Sequence, residues 1–565
     1  MDPSSRRRAA VVGAAFAVLF LGLIAHLYAV QILGVYKRGA ARAAQNIGHF
    51  KVSTPPGTIA DPDGQVFALS VPVDSLWVNP SAFSAPERAE AARRLAAVLG
   101  LREADLRTKL DSRAQREFVW AGRKLSEEKS KAVRDLLRDP LFKAGAEPKA
   151  GFTVEYARRY PHGSLMAHVL GHRGDDPRNL EGLERYCEEW LRGKDTTYAS
   201  GVDGLRRLLE VPSVNYAVNS VQLTVNLHFQ KIVEEEGLVM MGENKPKWAS
   251  IVALDPKTGA VLAMANWPTF DPNRPADSPA EARLNRAIVL PYEPGSTLKP
   301  FTIVSALDLG LLRPDSKIDC ENGIWKHGPR LLHDHHPYGK ISVADINIHS
   351  SNIGAAKIGA LILGAKRTHE ALTKFGFGVP TGIDLPAEDN GRLFPLKKWN
   401  IYSETSVPMG HEIMVTPLQL VAAMSAIANG GTLYRPWVIK RIETSDGHVL
   451  SENGPQPVHR VVSERAAREM VEILKLTVKD GTGKKAAVDG VAVAGKTGTS
   501  QKIDPVTKHY THEKYISSFV GFAPADDPKV CLAVIVDEPQ GAYYGGAVAA
   551  PVVGRILQRG LVHLR

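Results

Sequence analysis

The chain opens on a run without a single charged or polar side chain, residues 9–25, and apolar character continues past His26 to Leu33. At 1.5 Å of rise per residue such a helix spans the roughly 30 Å hydrocarbon layer of a bilayer. Arg6, Arg7 and Arg8 precede it directly, so the positive-inside bias holds the N-terminus in the cytoplasm; Lys37 and Arg38 oppose it weakly. A cleaved signal peptide would have a shorter apolar core and a small-x-small site. Residues 1–34 are therefore read as an uncleaved anchor. With no second apolar run of that length, everything after it should lie outside the cytoplasm.

Beyond the anchor, short strand-like runs alternate with charged helices over residues 35–235. Helical periodicity marks 85–99 and 126–137, and turn residues such as Asp61-Pro62-Asp63-Gly64 punctuate the module. From Trp248 the pattern changes. Two apolar strands, 250–254 and 260–265, flank Asp255-Pro256-Lys257-Thr258-Gly259, a hairpin turn. Helices follow, clearest at 350–363 and 417–428, and strands return at 491–499, 517–524 and 530–536. Strands, then helices, then strands predict an α+β fold, a sheet with helices packed on its faces. That domain should occupy 236–565, on an extended α+β pedestal over 35–235.

Composition removes some functions. The net charge of +10 is dispersed among acids, and no basic run is interleaved with aromatics, which argues against nucleic acid. Three cysteines, Cys187, Cys320 and Cys531, stand far apart in no metal-ligand spacing and make no disulfide framework. Cys531 lies in the apolar run Val530-Cys531-Leu532-Ala533-Val534-Ile535-Val536 and reads as a core residue. His333-Asp334-His335-His336, in a Gly/Pro-bounded loop, reads as lining a cleft and not as a metal centre. Neither metal nor cofactor is expected.

Three short motifs mark penicillin-interacting serine acyl-transferases: S-x-x-K, S-x-N and K-T-G. They occur here twice, in the same order. One set is Ser126-Glu127-Glu128-Lys129, Ser213-Val214-Asn215 and Lys257-Thr258-Gly259; the other is Ser296-Thr297-Leu298-Lys299, Ser350-Ser351-Asn352 and Lys496-Thr497-Gly498. Physical context separates them. Ser126 begins a solvated helix, and Lys257 sits at the tip of a hairpin turn, where its side chain points to water and nothing equips it as a base.

In the second set Ser296 follows the break Pro294-Gly295, and a helix would carry Lys299 one turn on and on the same face. The apolar run after it implies burial. Burial and the like charge of Lys496 should depress the Lys299 pKa, so that it takes the serine proton. A Ser350 hydroxyl can relay a proton and an Asn352 amide can hold a peptide; Ser350 could equally cap the helix that follows. Lys496-Thr497-Gly498-Thr499 ends an apolar run and belongs on a strand. There it offers a cation and hydroxyls for a carboxylate, close approach at Gly498, and an N–H for an oxyanion hole.

Tyr292-Glu293-Pro294-Gly295-Ser296-Thr297-Leu298-Lys299-Pro300 resembles the nucleophile segment of class B penicillin-binding proteins, in their cell-division (septal) branch. Phe375-Gly376-Phe377-Gly378, Val415-Thr416-Pro417-Leu418-Gln419, Gly481-Thr482-Gly483, Phe519-Val520-Gly521-Phe522-Ala523-Pro524 and Tyr544-Gly545-Gly546 extend the likeness. Arg159-Tyr160-Pro161 and Gly182-Leu183-Glu184 resemble the family's pedestal, so nearly the whole chain is covered.

The resemblance implies a peptidoglycan D,D-transpeptidase. Ser296 would be acylated by a stem peptide ending in D-Ala-D-Ala, with Lys299 as base and Ser350 as relay. Asn352 would contact the substrate, Lys496, Thr497 and Thr499 its carboxylate, and the Ser296 and Thr499 N–H groups the oxyanion. β-Lactams would acylate the same serine. A SEDS-type membrane glycosyltransferase and other division proteins are the implied partners. The alternatives are a D,D-carboxypeptidase and a non-catalytic scaffold of a wall-synthesis complex. Pro56 and Pro62 replace two arginines usual in the pedestal, and Asn226 replaces a usual Asp, which puts in question the pedestal's ion pairs but not the chemistry.

Overall fold

The structure is a computed structural model that describes residues 3–33, 47–52, 54–144, 147–174, 180–192, 196–201, 218–504, 506–507 and 509–564. Two units divide the chain, one of residues 1–55 with 193–217, the other of 56–192 with 218–565. In the first, a helix runs over Pro3–Tyr28, and Ile47–Val52 pairs antiparallel with Thr196–Gly201. Its segment Arg7–Tyr28 is long and apolar enough to cross a membrane.

The second unit holds both the pedestal and the C-terminal domain. Its pedestal is a sheet in which Val66–Val78 pairs along its length with Ala150–Arg159. Helix Ala85–Leu99 covers one end with Ala91, Ala92, Leu95 and Ala96 buried, the apolar stripe its periodicity predicts. Ser220–Leu223 joins the layers, pairing parallel with Ile59–Ala60 and antiparallel with Ile439–Glu443 of the C-terminal domain. The pedestal carries buried ion pairs of its own. Buried Glu184 accepts from Arg158 Nε at 2.5 Å and Arg173 Nε at 3.1 Å, and Arg158 also donates to the Gly57 carbonyl. Asp61, fully buried, accepts from the backbone N–H groups of Gln65 and Leu227.

Helix α1 (Leu227–Asn244) runs across residue 235, where the domain boundary was expected, and packs on the C-terminal sheet. That sheet is antiparallel and five-stranded. Its strands are β1 (Trp248–Leu254), β2 (Val261–Trp267), β3 (Ala494–Ile503), β4 (Tyr510–Ala523) and β5 (Val530–Asp537), in the order β2-β1-β5-β4-β3. Central β5 is buried at every position, because both faces are covered. Val530, Leu532, Val534 and Val536 pack in one core with α1 and the C-terminal helix Ala550–Gly560. Cys531, Ala533 and Ile535 turn to the other core, with the wholly buried helix Pro417–Ala428. Strand β3 forms one edge of the sheet, and against it the chemistry is assembled.

Candidate active site

Ser296 sits in a single 3₁₀ turn, Gly295–Leu298, and the α-helix begins only at Lys299, α2 (Lys299–Asp308). The three-residue spacing survives this. Pro300 falls in the first turn of α2, where its missing N–H costs nothing. The turn is held from outside: the Gly295 N–H donates to Gly410 O at 3.0 Å, and a Cβ on Gly410 would lie 2.0 Å from Gly295 O.

Lys299 is fully buried and its Nζ donates to three acceptors on one segment: Ser350 O at 2.6 Å, Asn352 Oδ1 at 2.8 Å and Ser350 Oγ at 3.2 Å. Ser350 joins two helices in the left-handed region, φ 60°, rare for a residue with a Cβ. The cap of the following helix, α3 (Asn352–Lys357), is Ser351, whose Oγ accepts from Gly354 N at 2.9 Å. Ser350 is thus not a helix cap, and its hydroxyl faces the two lysines.

From the other side comes Lys496, also fully buried, on β3. Its Nζ lies 3.1 Å from Ser350 Oγ and 2.9 Å from Thr497 O. Burial pushes Lys299 down to about 7, although Asp334 pulls the other way. It drives Lys496 well below its usual value too, and there the Lys299 charge adds to the effect.

Thr497 Oγ1 donates to Thr482 Oγ1 at 2.6 Å, and Thr499 Oγ1 accepts from Gly545 N at 3.0 Å. At Gly498 a Cβ would come within 2.9 Å of Pro294 O and of Thr297 Cγ2, so the close approach it permits is that of the Ser296 turn onto the strand. Ser296, Ser350, Thr497, Gly498 and Thr499 all line one cleft of about 540 Å³, with His335, Tyr544 and Gly545.

The second motif set is thereby brought together. The first is not: Ser126 caps helix Glu127–Leu136, Lys129 donates to the Leu99 carbonyl on the surface, and Lys257 pairs with Asp527 on an exposed turn. Ser213-Val214-Asn215 lies outside the described residues.

Several contributors have no signature in the motifs. Asp334, in the histidine-rich loop, accepts from Ser351 Oγ at 2.6 Å and from the backbone N–H groups of Asn352 and Ile353, fixing the start of α3. Glu293 gathers the surroundings of the Ser296 turn, accepting from Glu412 N at 3.0 Å and Tyr510 Oη at 3.0 Å, with His411 Nδ1 3.0 Å away. His411 therefore faces Glu293 and is not among the cleft-lining residues. Only spatial pairing reveals these groups, since Asp334 and Tyr510 have no spacing relation to the residues they hold.

Comparison with known proteins covers nearly all of the chain. Residues 249–558 match the Penicillin binding protein transpeptidase domain, and residues 51–223 the Penicillin-binding Protein dimerisation domain. A probable peptidoglycan D,D-transpeptidase PenA of Neisseria meningitidis is 32% identical over 98% of this chain and 92% of that protein. Peptidoglycan D,D-transpeptidase FtsI of Escherichia coli is 31% identical over 95% and 88%. Among solved structures, Penicillin binding protein 3 of Mycobacterium tuberculosis, complexed with aztreonam, superposes with a TM-score of 0.69 at 27% identity, covering 91% of this chain and 98% of that one.

Proposed function

This chain belongs to the class B penicillin-binding proteins, peptidoglycan D,D-transpeptidases of the septal type, and on that premise we propose how its residues carry the reaction. Ser296 Oγ attacks the carbonyl carbon of the penultimate D-Ala of a donor stem peptide. Neutral Lys299 takes its proton, and Ser350 passes a proton to the departing D-Ala nitrogen as the C–N bond breaks. The Ser296 and Thr499 N–H groups receive the oxyanion. Asn352 holds the donor backbone, and Lys496, Thr497 and Thr499 take its terminal carboxylate, while Gly498 lets nucleophile turn and strand close together. An arriving carboxylate favours charge on Lys496, and that charge in turn keeps Lys299 neutral. A stem-peptide amine then takes the acyl group from the ester. β-Lactams enter as mimics of the donor.

The observation that carries this reading is Ser350 Oγ, which lies 3.2 Å from one fully buried lysine and 3.1 Å from another. A solvated lysine pair would have no reason to hold a hydroxyl between them.

Around this centre, Arg6, Arg7 and Arg8 keep the N-terminus inside and the catalytic domain outside the membrane. The pedestal ends before α1, near residue 223, and the glycan polymerase is a separate SEDS-type membrane glycosyltransferase. The test is intact mass and peptide mapping of the full chain after exposure to a penicillin. A stable adduct on Ser296, lost in Ser296→Ala, is expected. Folded protein that takes up no penicillin would leave a scaffold in place of an enzyme.

A further inference from the structure

The cleft continues beyond the residues that the donor reaction uses. Past Thr497, which is tied to Thr482 at 2.6 Å, its lining includes two neighbouring groups of side chains, on segments joined where the Thr482 N–H donates to Ile348 O at 3.3 Å. One is aromatic: the Tyr338 and His349 rings stack at 5.6 Å and 20°, with His336 edge-on to Tyr338 at 6.0 Å. The other carries Asp480 and Lys485, neither with an ion-pair partner among the described residues. Lys484 precedes Lys485, so the segment is net positive. No step assigned above involves any of these side chains.

Reversibility of the chemistry says what should lie there. In acylation the Ser296 Oγ–C bond forms, the C–N bond breaks, and the D-Ala nitrogen leaves with a proton. In the second half an amine nitrogen attacks the same carbonyl carbon, the C–Oγ bond breaks, and the amine's proton returns to Ser296 Oγ. This is the first step run backwards with a different amine. The acceptor nitrogen must therefore occupy the place that the D-Ala nitrogen left, and the rest of the acceptor must extend on the leaving-group side. Thr497, assigned to the leaving D-Ala carboxylate, marks that side, and the arm begins at its neighbour Thr482.

We propose that this arm is the acceptor subsite, taking the amine-bearing stem peptide with Lys485 facing a peptide carboxylate and the Tyr338–His349 stack supporting its chain. The proposal rests on the transpeptidase reading of Ser296. A peptide acid would set its carboxylate against the Lys485 cation and its chain against the flat Tyr338–His349 stack.

The test separates the two halves of the reaction in the full-length, detergent-solubilised chain. An N-acyl-D-alanyl thioester serves as donor. The acceptors are a synthetic tripeptide with a free side-chain amine and a C-terminal carboxylate, and the same tripeptide as its C-terminal amide. The ratio of aminolysis to hydrolysis of the acyl-enzyme is measured. The carboxylate form should be preferred by about two- to fivefold, the span of a solvent-exposed ion pair. Lys485→Ala should abolish that preference, and His349→Ala should lower the ratio for both acceptors. Penicillin acylation, read in the same variants, reports the donor half and the fold. Normal acylation with an unchanged preference in Lys485→Ala overturns the acceptor arm alone. Acylation and aminolysis falling by the same factor also overturns it, because the residues would then serve the donor site. Failure of the unaltered chain to acylate at Ser296 overturns the transpeptidase reading beneath it.

Discussion

Raising the pH from 6 to 8 should speed acylation of Ser296 by a penicillin about tenfold, after which the rate should level off. The base must be neutral to accept the serine proton, and Lys299 is held at about 7 by burial. Its neutral fraction is then roughly 9% at pH 6 and roughly 91% at pH 8. A lysine left at the ordinary 10.5 would behave differently: its neutral fraction would rise about a hundredfold over the same interval and still be climbing at pH 9. The two cases differ in slope and in the presence of a plateau, so amplitude errors cannot confuse them. Quenched-flow sampling with intact-mass readout of the penicillin adduct gives the rate directly. A flat profile between pH 6 and 8, or one that keeps rising past pH 9, would refute Lys299 as a base set by burial. Stability carries the same signature. Between about 7 and 10.5 the unfolded chain keeps a proton that folded Lys299 has lost, so folding stability rises with pH across that window. The full displacement corresponds to about 5 kcal/mol, with the penalty complete below pH 7.

Ser126→Ala should leave the penicillin adduct intact and lower stability by about 1 kcal/mol, since that serine caps a helix; calorimetry and mass spectrometry read the two effects separately. Asp334→Ala removes the acceptor for Ser351 and for two backbone N–H groups at the start of α3, and should cost about 2–3 kcal/mol in denaturant unfolding. Acylation should slow in that variant as Asn352 loses its place. Tyr510→Phe cuts the tie between β4 and Glu293, three residues before the nucleophile. It should slow acylation by about three- to tenfold with little change in penicillin dissociation constant, because it shifts the nucleophile turn relative to Thr499 and touches no ligand. An unchanged acylation rate in folded Tyr510→Phe would remove Glu293 from the positioning of the site.

The two motif sets show how far letters reach and where physics must continue. Ser126 and Ser296 carry the same pattern, and so do Lys257 and Lys496. What separated them in the sequence was the neighbourhood: glutamates around Lys129, a turn around Lys257, and apolar runs after Lys299 and before Lys496. The run after Lys299 becomes α2, the run before Lys496 leads into β3, which begins at Ala494, and both lysines are buried. Strands β1, β2 and β5 were readable for a related reason, since continuous apolar runs specify burial on both faces. Ser350 was readable as a polar group near a helix start, but its left-handed backbone and the capping role of its neighbour Ser351 were not. Adjacent serines offer the same hydroxyl, and only the φ of the first decides which one caps. The expected boundary at residue 235 falls within Leu227–Asn244, whose amphipathic contrast is weak because buried Gln230 and Glu236 lie among its apolar positions.

The site's place in the sheet follows from what each strand can tolerate. Inner strand β5 has neighbours on both sides and is apolar from Val530 to Val536; a lysine there would be charged and unpaired within the core. Only an edge strand can carry Lys-Thr-Gly-Thr and leave one row of backbone groups for an extended peptide to meet. The same edge must be protected when empty. The nucleophile turn does part of this, pressing Pro294 and Thr297 against Gly498, and Gly545 closes against Thr499 on the same strand. Two buried lysines facing one hydroxyl remain a standing cost to the folded state. That cost is tolerable because it is concentrated on a rim braced by two large apolar cores. Replacing Lys299 by methionine would relieve the charge burial yet leave Ser350 O and Asn352 Oδ1 without their donor. The net change in stability should therefore be small, while acylation is lost.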